Sequence, residues 1–268
     1  MKGRKFIRGL LIFCAAAGSA VIFAACGSHP TAPSPIVEQP APQPSPQPPL
    51  PRAAVPVLAV TRILAFGDSM TAGTTSAAVI PPALTAGPPQ SYPAKLQDLV
   101  SGRYTGQTIT VLNAGKPSEH VYDAATLARF NHEVSDASPN LILLMEGAND
   151  LNDAGDAVND TIATTVGTLE EMVKEAGRRR IPIMVATLPP QRLPKGHGAP
   201  YIGRFNDAVK TMAAKKGGIL VDVNARLPDA LIGQDGLHPT EQGYQRIAEI
   251  FLDAMKSAYE TIPPAVSR

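Results

Sequence analysis

Four short stretches of this chain carry residues that could do chemistry together. Gly67-Asp68-Ser69 offers a hydroxyl and Asn113-Ala114-Gly115 a glycine amide. Glu146-Gly147-Ala148-Asn149-Asp150 offers a side-chain amide. Asp235-Gly236-Leu237-His238-Pro239 offers an imidazole with a carboxylate three residues before it. A serine is a poor nucleophile at its own pKa and needs a base. His238 could take the Ser69 proton and return it to a leaving group. Asp235, on the same loop, could orient the imidazole and stabilise its cation. Attack on a carbonyl would leave an oxyanion. The backbone N–H groups of Ser69 and Gly115 and the side-chain amide of Asn149 are its candidate donors. The set points to nucleophilic acyl chemistry that calls for no cofactor. A metal held by Asp235 and His238 is not expected, because two ligands on one loop do not make a site.

Each stretch alone is a weak signal, since Gly-Asp-Ser and Gly-Ala-Asn-Asp recur in ordinary turns. Their placement is what joins them. Five apolar runs read as strands: Arg62–Gly67, Thr108–Asn113, Asn140–Glu146, Ile181–Leu188 and Gly218–Val223. They are nearly continuous in Ile, Leu and Val, the pattern of strands covered on both faces. Helix-period stretches lie between them. Leu127, Phe130 and Val134 share a face, as do Ile162, Val166, Leu169, Val173 and Ala176. Phe205, Val209 and Met212 follow, with Gly217 as a stop. A last helix from near Thr240 aligns Tyr244, Ile247, Ala248, Phe251 and Met255. Alternation of this kind predicts an α/β three-layer sandwich on a parallel sheet. Such folds gather their ligand sites beyond the C-terminal strand ends. The four stretches sit at or just after those ends.

In this order, the four blocks resemble the SGNH (GDSL) hydrolase superfamily. "FGDSMTAG", "NAG", "GAND" and "DGLHPTEQGY" carry the resemblance, which covers the chain from about residue 61 to 260. It implies a flavodoxin-like α/β/α fold with five parallel strands and serine hydrolysis of carboxylic esters. Ser69, Asp235 and His238 would be the triad, and Ser69, Gly115 and Asn149 the oxyanion hole. Aryl, thio, lipid and carbohydrate esters are all substrates within the superfamily. Two positions depart from it. Ser118 stands where the family often has a second glycine, and Ala148 where many members have glycine.

The N-terminus reads as an address. Lys2, Arg4, Lys5 and Arg8 precede an apolar run from Gly9 to Ala25. That is the layout of a secretory signal. Ala24-Ala25-Cys26-Gly27 resembles a bacterial lipobox, with Phe23 where leucine is usual. The resemblance implies removal of residues 1–25 and acylation of Cys26, a membrane anchor carrying chains such as palmitate. Several acyl chains make such attachment stable. Cys14 would leave with the leader, so no thiol chemistry is expected in the mature domain. Residues 26–56 are dense in proline and read as an extended tether. The catalytic head would then span residues 57–268, lipid-anchored at the cell envelope outside the cytoplasm, with ordinary secretion and an uncleaved anchor as the alternatives.

Without the basic leader the body is mildly acidic and lacks a basic stripe, which argues against nucleic acid as a partner. The expected partners are a small-molecule, glycan or lipid ester and the membrane. Two loops are candidates for choosing the substrate. Thr74–Tyr92 is apolar and either packs on the domain or forms a rim for an acyl chain. Pro189–Tyr201 carries Gln191, Arg192, Lys195 and His197, and reads mainly as a solvated loop. The other histidines read as ordinary residues, although His120 is near enough to Gly115 to line a pocket. Two rival functions keep the same fold. One is acyl transfer to, or deacetylation of, surface glycans. The other is a lipoprotein that only binds glycan or lipid.

Overall fold

The computed structural model describes residues 55–75 and 87–263. The leader, Cys26, the tether through residue 54 and residues 76–86 of the apolar loop lie outside the described residues. The strands are β1 (Val57–Leu58), β2 (Arg62–Gly67), β3 (Thr110–Gly115), β4 (Leu141–Met145), β5 (Ile183–Ala186), β6 (Ile219–Val221) and β7 (Glu260–Thr261). The helices are α1 (Ser69–Ala72), α2 (Tyr92–Arg103), α3 (Ala124–Ala137), α4 (Ala148–Asp153), α5 (Val158–Arg178), α6 (Ile202–Lys216), α7 (Val223–Arg226) and α8 (Glu241–Tyr259).

Strands β2 to β6 form one parallel sheet in the order β3-β2-β4-β5-β6. This is the flavodoxin-like order, and its switch point lies between β2 and β4. Helices α2 and α8 pack together, with the Tyr92 and Phe251 rings stacked at 5.1 Å. Helix α5 packs against α3 and α6. Cover on both faces explains why all five residues of β4 are apolar and buried. Phe66 of β2 meets Phe130 of α3 edge to face at 5.2 Å.

The helix ends follow local chemistry. Thr240 Oγ1 accepts the Gly243 N–H at 3.1 Å and starts α8. Gly217, at φ 82°, closes α6 where a left-handed residue is needed. Helix α2 was not among the expected elements. Leu96 and Val100 are too few to give a strong periodic pattern, but its start is marked by Ser91 and Pro93. Ser91 Oγ accepts the Ala94 N–H at 3.3 Å. Strands β1 and β7 form an antiparallel ribbon that fastens the start of the domain to the end of α8.

Candidate active site

Strand β2 delivers Ser69 to the rim. Asp68 caps α1, its Oδ1 accepting the Met70 N–H at 2.8 Å, so the serine occupies the first helical position. The Ser69 N–H is one of the orphan amides of a helix start. Tyr244 of α8 donates its hydroxyl to Thr74 O, tying the exit of α1 to the opposite helix layer.

The loop before α8 delivers the other two groups. His238 Nε2 lies 3.0 Å from Ser69 Oγ, and His238 Nδ1 lies 2.6 Å from Asp235 Oδ2. Asp235 Oδ1 accepts the backbone N–H groups of Leu237 at 3.1 Å and His238 at 3.0 Å. All three side chains are buried. Burial pushes the Asp235 carboxyl up. The His238 ring and the two backbone amides outweigh it and hold the group down at about 2. With a carboxylate there, Nδ1 carries the proton and Nε2 is left as the base facing the serine.

The Pro189–Tyr201 loop braces this arrangement. Arg192 N–H donates to Gly236 O and Lys195 N–H to Asp235 O, both at 2.8 Å. The Arg192 guanidinium caps Ile232 O at 3.0 Å and Gly233 O at 2.9 Å. Gly236 stands at φ 79°, and a Cβ there would lie 2.0 Å from Arg192 O. Only glycine fits that approach. Arg192, expected in a solvated loop, is thus a clamp on the loop that carries Asp235 and His238. Lys195 is exposed, with its Nζ 3.7 Å from Asp235 Oδ2.

The third side of the site joins β3, α3 and α4. Asn149, at the second position of α4, donates its Nδ2 to Glu119 O at 2.8 Å. That bond uses one of the two amide hydrogens and leaves the other for a ligand. The Glu119 carboxylate is buried and gripped by the Arg129 guanidinium, with Nε at 2.9 Å from both oxygens. Arg129 also donates to Ala114 O at 2.8 Å and to Gly67 O at 3.3 Å, so it binds the ends of β2 and β3 to the 116–119 loop. Sequence reasoning missed this residue. It lies on the expected helix but off the apolar face.

Gly115 requires a correction. Its N–H donates to Asn113 Oδ1 at 2.9 Å and is not free for an oxyanion. A Cβ at this position would stand 2.1 Å from the Ala72 nitrogen. Gly115 is small because α1 packs on it. Along the same loop the Lys116 N–H donates to Gly67 O and the Glu119 N–H to Lys116 O. Pro117 has no N–H. The remaining amide is that of Ser118, which has no partner among the described residues. Ser118 sits at φ 62°, in the left-handed region that favours glycine. The second glycine expected by resemblance at this position was the overlooked signal.

The GDSL-like lipase/acylhydrolase family model matches residues 65–246 of this sequence. The chain belongs to that family. It is a carboxylic ester hydrolase of the GDSL/SGNH type. No curated protein matches the sequence. Solved structures show the same fold. An acetylxylan esterase from Geobacillus stearothermophilus superposes with a TM-score of 0.59 at 23% identity, covering 72% of this chain and 93% of its own. An α/β hydrolase enzyme from the metagenome of Lake Arreo, Spain, superposes with a TM-score of 0.60 at 22% identity, covering 73% and 94%. The GDSL-type site here is therefore set at the switch point of a flavodoxin-like sheet, with Ser69 after β2 and Asn149 after β4.

Proposed function

We propose that this chain is a serine esterase of the cell envelope that removes small acyl groups from glycans through an acyl-enzyme. The observation that carries the mechanism is the line from Ser69 Oγ through His238 to Asp235, with contacts of 3.0 and 2.6 Å. Ser69 Oγ attacks the acyl carbonyl carbon while its proton passes to His238 Nε2. The oxyanion is taken by the N–H groups of Ser69 and Ser118 and the free amide hydrogen of Asn149. Loss of one such donor costs about 10²–10³ in rate. Collapse expels the alcohol, which receives the proton from His238. Water then gives its proton to His238 and attacks the acyl-serine. The second collapse frees the acid and returns the proton to Ser69. Asp235 stays ionised throughout and steadies each imidazolium.

The glycan reading is supported by likeness to an acetylxylan esterase. The envelope reading is supported by the basic, apolar and Ala-Ala-Cys-Gly layout of residues 1–27. The decisive comparison is wild type against Ser69→Ala on nitrophenyl esters from acetyl to long acyl, and on acetylated xylo-oligosaccharides. The variant is expected to lose at least about 10⁴-fold in kcat. A serine-directed phosphonate should label the wild type alone. Equal turnover by the two proteins would remove Ser69 as nucleophile. Labelled palmitate is expected in the wild type and not in Cys26→Ser, and equal labelling of the two proteins, or none in the wild type, would remove Cys26 as the lipid anchor.

A further inference from the structure

The chain has six tyrosines, seven phenylalanines and no tryptophan. Among the described residues the fold hides almost all of this aromatic surface. Tyr122 is the one described aromatic that is exposed, at 47%. It is also held firmly. The Val121 and Tyr122 N–H groups donate to the two oxygens of Asp150, each at 3.0 Å. Asp150 is fully buried and also accepts the Thr165 hydroxyl at 3.1 Å. His120 O accepts the Thr126 hydroxyl at 2.7 Å and the Asp123 N–H at 3.3 Å. The His120 ring lies against the Tyr122 ring, with centroids 5.0 Å apart at 40°, and its Nε2 is 2.9 Å from Asp153 Oδ2. One side of the tyrosine is propped, and its exposed surface is the rest.

The position matters as much as the rigidity. The loop that presents Tyr122 also carries the free Ser118 amide and the Glu119 carbonyl that holds Asn149. Its anchor, Asp150, is the residue after Asn149. Asp153, which fixes the propping histidine, is four residues along α4 from Asn149, about 6 Å at the helical rise. Burial, with the charges of Asp123, Asp150 and Asp153, pushes the Tyr122 phenol up, so the ring stays neutral. A neutral, preorganised aromatic face suits the apolar C–H face of a pyranose, which it can cover without ordering a flexible side chain.

We propose that Tyr122, propped by His120, is a stacking platform for a sugar ring of the substrate whose ester Ser69 attacks. The proposal rests on the glycan-esterase reading and names its subsite. Tyr122→Ala is expected to raise KM for acetylated xylo-oligosaccharides about tenfold, the worth of one aromatic stack, with kcat within about twofold. On p-nitrophenyl acetate, which has no sugar, kcat/KM should stay within about twofold of wild type, which also reports a folded protein. Tyr122→Phe should restore the glycan KM. A Phe variant as poor as Ala, or equal losses on both substrates, overturns stacking.

Binding can be read apart from turnover. Tyr122→Trp in the Ser69→Ala background places a single tryptophan at the platform, because the chain has none. Titration with acetylated xylo-, manno- and amino-sugar oligosaccharides is expected to give a saturable change in its emission. No change with any of them overturns the platform. Saturable binding with no turnover by wild type leaves the platform standing and overturns the glycan-esterase reading instead.

Discussion

Asp235 and Asp68 are both buried aspartates, one beside the proposed base His238 and one beside the proposed nucleophile Ser69, and the structure treats them in opposite ways. Asp235 collects the His238 ring and the N–H groups of Leu237 and His238. These outweigh burial and hold it at about 2. Asp68, next to Ser69, accepts the Met70 N–H on Oδ1, while Oδ2 meets no well-aligned donor at hydrogen-bond distance among the described residues and feels the Ala148 amide only weakly. Burial pushes Asp68 up to about 7 against the pull of the Met70 and Ala148 amides, and the charges of Asp150 and Glu119 add to the rise. Glu146 is buried with neither oxygen hydrogen-bonded among the described residues, and burial raises it well above the usual carboxylate range. Desolvation acts on all three, and the number of donors decides the outcome. The difference has a use. A charged Asp235 steadies an imidazolium, whereas a charged Asp68 would oppose an oxyanion forming beside Ser69.

The same swap at the two aspartates tests this contrast, and Asp235→Asn should give the larger effect. An amide at this position can still accept backbone bonds but favours the wrong imidazole tautomer. The kcat is expected to fall about 10³–10⁴-fold. The depressed pKa also links to stability. Asp235 contributes stability that is present above its unfolded value of 3.8 and lost as pH falls toward about 2. Thermal melts of the variant should therefore converge with wild type in that acid window. A variant with near-normal kcat would mean that Asp235 does not orient His238.

Arg129→Met comes next and sharpens the point about donors. It removes the guanidinium from the buried Glu119 carboxylate and from the carbonyls of Ala114 and Gly67. Glu119 then keeps only the exposed Lys116 ammonium, 3.2 Å from Oε1, so the loss should fall at the lower end for a broken buried pair, about 3 kcal/mol, or very roughly 10 °C in Tm for a domain of this size. Because Glu119 O holds Asn149, kcat should drop as well. Adding Glu119→Gln should recover much of the lost Tm. A single variant as stable as wild type would show that this network does not hold the loop.

How far the sequence reaches depends on whether a residue acts locally. The five strands were legible because each is a short apolar run covered on both faces, and Phe130, Leu169, Phe205 and Phe251 fell on the faces their spacing required. That Ser69, Asp235 and His238 meet was legible because strand ends converge in this fold. Helix α2 was not, since its signal lies in a cap and a proline rather than in periodicity. Gly115 was misassigned because a glycine required for packing and one required for an exposed amide look alike in sequence. The structure separates them by one hydrogen bond, from Gly115 N–H to Asn113 Oδ1. Arg129 and Arg192 were illegible because their partners, backbone carbonyls and for Arg129 also the Glu119 carboxylate, lie on other segments of the chain.

Glu146→Gln probes the neutral side of the comparison. A raised acid stabilises below its unfolded value of 4.5, and that stability is lost as pH climbs toward the folded value. Each pH unit in that window costs about 1.4 kcal/mol. Glutamine cannot ionise, so the fall of Tm with rising pH should be shallower in the variant by about 3–6 °C per unit. Its amide brings hydrogens with no waiting acceptor, so the variant starts lower at acid pH, and the slope is the readout. Parallel curves would mean that Glu146 already shares its charge with a partner.

Asp68→Asn should have the smallest effect of all, which makes it the most discriminating. Asparagine keeps an oxygen for the Met70 N–H and is a good N-cap. Near pH 6 the wild-type Asp68 is largely protonated, since burial holds it at about 7. A neutral amide then replaces a neutral acid, and kcat/KM should stay within about threefold, against about 10³ or more for the same change at Asp235. Above pH 7 the wild type gains a negative charge beside Ser69 and the variant does not. The ratio of variant to wild-type kcat/KM should therefore rise as pH crosses the Asp68 value. A loss of about a hundredfold near pH 6 would instead show Asp68 charged in the resting enzyme. The nucleophile would then work beside an anion, and the contrast between the two aspartates would fail.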